Sequence, residues 1–99
     1  MIARVLRADV GSARVDEVVE AYRTNLRPIH EGAAGLLRHF VLVDRDAGRI
    51  VFIGIWESLD AVQAVAADLE PARQRLWSAF GTPPELEVYE VADEISSSG

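Results

Sequence analysis

Seven successive residues, Ile50 to Trp56 within the stretch RIVFIGIWES, carry no charged, hydroxyl or amide side chain, and all but Gly54 are β-branched or aromatic. An apolar run of this length between turn-forming segments reads as a strand covered on both faces. The rest of the chain therefore has to supply two layers of cover.

The neighbouring residues show where part of that cover comes from. A short strand is expected at Ile2 to Asp9, ended by Gly11 and Ser12, and Val15, Val18, Val19, Tyr22 and Leu26 then follow with the period of an amphipathic helix. Asp16 and Glu17 stand in the first turn of that helix and Arg23 and Arg27 in its last, as the helix dipole favours, with Pro28 as its stop. A loop is expected to run on to about Gly35. A second strand, Leu36 to Val43, leads through the turn-rich Asp44 to Arg49 into the apolar run, the pattern of a hairpin. Ser58 is placed to cap a second helix carrying Leu59, Val62, Val65, Ala66 and Leu69 on one stripe. Pro71 predicts a break and restart, with Leu76, Trp77 and Phe80 turned inward, and Gly81 with Pro83 and Pro84 closes the helix. Leu86 to Val91 is the last strand, and residues 96–99 form a flexible tail behind a single unit over residues 1–95.

The order strand, helix, strand, strand, helix, strand is the split βαβ or ferredoxin-like arrangement, an α+β fold with a four-stranded antiparallel sheet whose first and third strands are central. Two helices cover only one face of such a sheet. Val51, Ile53 and Ile55 alternate with Ile50, Phe52 and Trp56, and Phe40 and Leu42 join the first set if Val43 pairs with Ile50. A second apolar face is thus expected, and its simplest cover is a second copy of the chain, two sheets closing face to face into a dimeric α/β barrel.

Composition narrows the partners. The chain has 99 residues and a net charge of −6, and all ten of its basic residues are arginine. That balance argues against nucleic acid and against anionic membrane surfaces. There is no cysteine, so thiolate chemistry and disulfides are excluded, and no apolar stretch approaches the roughly 20 residues of a membrane span. No export pattern opens the sequence, and cytoplasmic residence is the expectation.

Gly35-Leu36 near the second strand, Trp56-Glu57-Ser58 after the third, and Pro84-Glu85 through Tyr89-Glu90-Val91 at the end together resemble the antibiotic biosynthesis monooxygenase family of dimeric α/β barrels. The resemblance spans nearly the whole chain. It implies a homodimer joined through the sheet face, and a cofactor-independent monooxygenase acting on a small aromatic, quinol or polyketide-like compound. The alternative is a dimeric small-ligand-binding or structural domain of the same fold without turnover. The haem-degrading branch has a Trp and a His on its second helical region and an Asn on its first strand. Here the matching positions fall near Val65 and Arg75, and residues 2–9 contain no Asn. The polyketide-oxygenase branch is closer: its strand-three Trp corresponds to Trp56, while its pocket Asn and Tyr correspond to Phe52 and Val62.

Oxygenation without a cofactor needs an ionisable substrate, a base to form its electron-rich anion, and a dry cavity. His39 is the candidate base, with an ordinary pKa of about 6.5. In the hairpin register it lies opposite Gly54, on the face of Phe52 and Trp56, and Gly54 leaves space between those rings. Alternatively His39 is a half-exposed edge residue and Gly54 marks a bulge. Arg4 and Arg7, three apart on a strand, point to opposite faces, so one of them enters the pocket face, to hold a phenolate or oxygen-derived anion, or both serve in ion pairs. Tyr22 either donates to a ligand or is core with its hydroxyl at the rim, and Trp56 is pocket wall or core anchor. Trp77 reads as structural.

Other motifs fail on spacing. Asp44 and Asp46 begin like a calcium loop, but position 55 is Ile, and His30 and His39 lack helical spacing. No metal site is expected.

Overall fold

The computed structural model describes residues 1–80 and 84–97, and only the backbone of residues 79 and 80. The expectations for the Phe80 side chain, Gly81, Pro83 and the last two residues of the tail lie outside the described residues.

Four strands form one antiparallel sheet: β1 (Ile2–Asp9), β2 (Leu36–Asp44), β3 (Arg49–Trp56) and β4 (Glu85–Glu90), in the order β2-β3-β1-β4. The fold is the ferredoxin-like α+β arrangement, with β1 and β3 central. Val43 pairs with Ile50 and His39 with Gly54, the register that the turn composition implies. A bulge does occur in this hairpin, but between Leu36 and Arg38; Gly54 pairs regularly with both Arg4 and His39. The turn is closed by the Ala47 N–H donating to Asp44 Oδ1 at 3.1 Å. Gly48, at φ 68°, brings its backbone against Gly11, where a Cβ would lie 2.5 Å from the Gly11 carbonyl carbon. Its carbonyl accepts from the amides of Val10 and Gly11, tying the hairpin to the end of β1.

Helix α1 (Val15–Asn25) and helix α3 (Leu59–Phe80) lie on one face of the sheet. Val15, Val18, Tyr22 and Leu26 meet Ile50 and Phe52 of β3 and Leu69, Ala72 and Leu76 of α3 in one core. Burying each of the larger aliphatic groups stabilises by ~1.5–3 kcal/mol, so this cluster, rather than helix propensity, holds the layers together. Ser58 caps α3, its Oγ accepting from the Ala61 amide at 3.2 Å.

Two expectations are corrected. Pro28 does not end helical structure: it occupies the first turn of a separate short helix, α2 (Arg27–Glu31), because an N-terminal position has no intrahelical amide bond to lose. Pro71 does not break α3, which runs through it for 22 residues. Pro71 and Ala67, whose carbonyl loses its partner, are on the exposed side, while Leu69, Ala72 and Leu76 anchor both halves to the core. A carbonyl freed on the exposed side is open to solvation, and packing offsets the remaining cost.

The two sheet faces differ sharply. Along β3, Ile50, Phe52, Gly54 and Trp56 are buried, whereas Val51, Ile53 and Ile55 between them are only partly covered. On that open face Phe40 is 43% exposed, Leu42 46% and Tyr89 50%.

Candidate functional site

A cleft opens between the sheet and α1, α2 and α3, with about 470 Å³ of empty space including that at its mouth. Its floor is made by alternate residues of the two central strands, Arg4 and Leu6 from β1 and Phe52, Gly54 and Trp56 from β3. Its walls are Tyr22 from α1, Leu26 just after it, His30 from α2, His39 from β2, and Arg73, Leu76 and Trp77 from α3. Of the residues singled out from the sequence, Arg4, Tyr22, His39, Phe52, Gly54 and Trp56 come together here.

Arg7 does not. Its strand position pairs with Val51, on the open face, where its guanidinium lies 3.1 Å from Glu87. The β1–β3 register, which pairs Ile2 with Trp56, decides which of the two arginines points inward. Gly54 is also not an unfilled gap: a Cβ there would lie 2.7 Å from Trp56 Nε1 and 3.5 Å from His39 Cδ2. The glycine admits the edge of the indole, and the cavity is bounded by the ring that folds over it.

Three functional-looking residues escaped the sequence reading. His30 arrives on α2, two residues after the proline taken as a terminator. Its ring stacks on His39 with centroids 4.2 Å apart. Trp77 stands edge-on to Phe52 at 5.9 Å and forms cavity wall as well as core. Arg73 follows Leu69 by one helical turn, a charged residue inside the apolar stripe. That interruption was the readable signal for it.

The polar centre is a three-membered chain. The Tyr22 hydroxyl is 3.0 Å from His30 Nδ1 and 2.9 Å from His39 Nδ1. A phenol has a single proton, so it donates to one Nδ1 and must accept from an Nδ1–H on the other ring. Hence one imidazole carries its proton on Nδ1 and has a bare Nε2, while the other carries it on Nε2. When the bare Nε2 takes up a proton, the hydroxyl can relay the charge by accepting from the first Nδ1–H and donating to the second Nδ1, and release of a proton from the second ring's Nε2 then leaves the two roles exchanged. Tyr22 and His39 also border an open groove with Arg23, Arg27 and Arg45, so the chain connects the cleft to the far side of its wall.

Electrostatics keep all three groups neutral at pH 7. Burial raises the Tyr22 phenol to about 12. Burial lowers His39 to about 4, and burial together with His39, Arg73 and Arg4 lowers His30 to about 4. Arg4 and Arg73 are themselves pushed down from the ordinary arginine value, mainly by burial, with Arg73 adding to the effect on Arg4. Among the described residues, no group of three or more His, Cys, Asp or Glu is arranged to hold a metal ion, and no helix is long and apolar enough to cross a membrane.

The family described as Antibiotic biosynthesis monooxygenase matches residues 1–67. Two uncharacterized Mycobacterium tuberculosis proteins, Rv2557 and Rv2558, are 33% and 30% identical, covering 85% and 91% of this chain. The chain spans about a third of their length, 34% and 35%. Among solved structures, the monooxygenase from the gene ActVA-Orf6 of Streptomyces coelicolor, in complex with nanaomycin D, superposes with a TM-score of 0.80. It is 23% identical, and the match covers 98% of this chain and 92% of that one. SnoaB, a cofactor-independent oxygenase from Streptomyces nogalater, gives a TM-score of 0.70 at 20% identity over 97% of each chain. At such identities the likeness carries the fold.

Proposed function

The chain belongs to the antibiotic biosynthesis monooxygenase family, and from that premise we propose that it is a cofactor-independent monooxygenase of a small aromatic, quinol or polyketide-like compound. The observation that carries this reading is the His30–Tyr22–His39 chain set in a cleft walled by Phe52, Trp56 and Trp77. Aromatic walls suit a planar substrate, and a neutral imidazole with a bare Nε2 suits proton removal from it.

For an anthrone-like substrate the steps balance as follows. The imidazole takes a proton from the enol form, leaving an electron-rich anion. The anion's ring carbon bonds to dioxygen, and the proton returns from the imidazolium to give a hydroperoxide. Loss of the remaining hydrogen on that carbon, with cleavage of the O–O bond, leaves a carbonyl and releases water. One oxygen atom enters the product and the other departs with both methylene hydrogens; the carbon supplies the four electrons. Tyr22 passes the proton between the rings, so that only one imidazole is charged at a time. Two cations stacked this closely would repel strongly.

The partner in this reading is a second copy, docked on the open face of Phe40, Leu42, Val51, Ile53 and Ile55 to complete the barrel.

The test is incubation with a panel of anthrones and quinols under oxygen, followed by absorption spectra, for the wild type and His39→Ala. Turnover reduced by about 10²–10⁴-fold in the variant is the expected result, the usual share of a general base. Turnover indifferent to the substitution removes His39 from the chemistry. Binding without turnover on any member favours the non-catalytic reading, to which Phe52 and Val62 also point.

A further inference from the structure

Among the ten arginines of this chain, two groups contrast. Arg7, Arg23, Arg27, Arg45 and Arg49 make ion pairs at the surface. Arg4 and Arg73 line the cleft, from β1 and α3 respectively, and among the described residues neither enters an ion pair or a hydrogen bond. Glu70 is the acid whose field reaches both, yet its carboxylate is exposed and accepts from Gln74 at 3.3 Å. Two further facts sit at the same end. Arg73 Nε is buried without a hydrogen-bond partner, and so is Trp77 Nε1, one helical turn further on.

Two guanidiniums, one of them with an unmatched Nε–H, and the unmatched indole N–H of Trp77 thus converge on one apolar cleft of a protein that is acidic as a whole. A neutral aromatic ligand filling the cleft would strip water from the rest of the two guanidiniums and return no acceptor to them or to the two buried N–H groups, which is costly for neutral groups and more so for charged ones. A developing phenolate would answer the need only during turnover, whereas the donors are present in the resting protein. A planar carboxylate answers it throughout, since its two oxygens match the fork of a guanidinium and leave lone pairs for the indole N–H.

We propose that the Arg4–Arg73 end of the cleft is a carboxylate subsite, and that the ligand is a planar aromatic acid whose ring system lies among Phe52, Trp56 and Trp77. The proposal names the substrate class of the oxygenase reading and rests on it for catalysis, but binding alone tests it. The anion also has a consequence for the base. Arg4 and Arg73 are among the groups that disfavour a charged His30. A carboxylate seated on them offsets that repulsion, so the acid group of the right ligand makes the His30–Tyr22–His39 chain a better proton acceptor.

Both tryptophans of the chain, Trp56 and Trp77, line the cleft, so their fluorescence reports occupancy directly. The experiment titrates the wild-type protein with 2-naphthoate, 2-naphthamide and methyl 2-naphthoate, and repeats the series with Arg73→Gln and Arg4→Gln, each checked for folding by circular dichroism. The carboxylate is expected to bind at least about tenfold tighter than the amide or ester, a preference of the size of one charge-assisted hydrogen bond. Each substitution is expected to reduce that preference to less than about threefold. Equal binding of all three probes by the wild type overturns the proposal, whatever the variants do. A preference that survives both substitutions overturns it as well. Failure of the oxygenase reading shows differently: naphthoate still binds preferentially, but no anthrone or quinol is turned over.

Discussion

The two faces of the sheet are built from the same strands yet do different things. On the helix-covered face, β3 offers Ile50, Phe52, Gly54 and Trp56 to a core and a cleft; on the other, Val51, Ile53 and Ile55 are only partly covered by the described residues. Hydrophobicity is similar on both, so apolar character alone does not mark a core position. What separates them is the packing of α1 and α3, and with it the polar groups that only the covered face holds at low exposure. The covered face joins stability to chemistry, while the open face stores apolar area that a partner has to bury before it stabilises anything.

Paired truncations on β3 probe this contrast most strongly. Ile50→Ala is expected to lower unfolding stability by about 2–5 kcal/mol in denaturant titration, since Ile50 is fully buried and its loss leaves a cavity. Ile53→Ala is expected to cost well under half as much at high dilution and more as protein concentration rises, because in the proposed dimer its cover comes from a second copy. Light scattering across concentration checks the same point. Equal, concentration-independent costs, or a monomer at micromolar levels, would break the contrast.

Gly54→Ala comes next. The new methyl would meet Trp56 Nε1 at 2.7 Å, so the indole must move, and a loss of about 1–3 kcal/mol is expected together with a shifted tryptophan emission. An unchanged spectrum would mean that Trp56 does not fold over the glycine.

The pH response is smaller and belongs to the covered face. His30 and His39 are held near 4 by burial, against 6.5 for the exposed group. The unfolded chain therefore binds more protons between these values. Stability should fall as pH drops from about 6.5 to 4 and be insensitive to these groups above that window. Allowing for their partial exposure, the fall is about 1–2 kcal/mol in total, and the double variant His30→Asn, His39→Asn should flatten it. A steeper fall in the variant would contradict the assignment.

Arg7→Gln, on the open face, is the smallest change. Its pair with Glu87 is only partly covered, and a loss of less than about 1 kcal/mol is expected in the monomer. A larger loss would mean that this ion pair is covered by a partner.

Much of the site was legible because strand geometry is periodic. Once Val43 was set opposite Ile50, His39 had to face Gly54 and share a side with Phe52 and Trp56. Alternation likewise placed Arg4 and Arg7 on opposite faces. It did not say which face was which, because β1 reaches β3 through a long connection whose length fixes no register. His30 was missed for a related reason: a proline after a helical stripe ends one helix or opens the next with the same local chemistry. Pro71 differs in the other direction, since the residues that keep α3 continuous through it lie across the core.

The sequence by itself determined the element order, the hairpin register, and a central strand with two apolar faces, because these follow from local turn chemistry and side-chain periodicity. Only the tertiary structure decided that Tyr22 would bridge two histidines, that Arg4 rather than Arg7 would turn inward, and that Arg73 would join it. Those contacts link residues far apart in the chain, and their geometry is set by how the helices seat on the sheet, which no local pattern encodes.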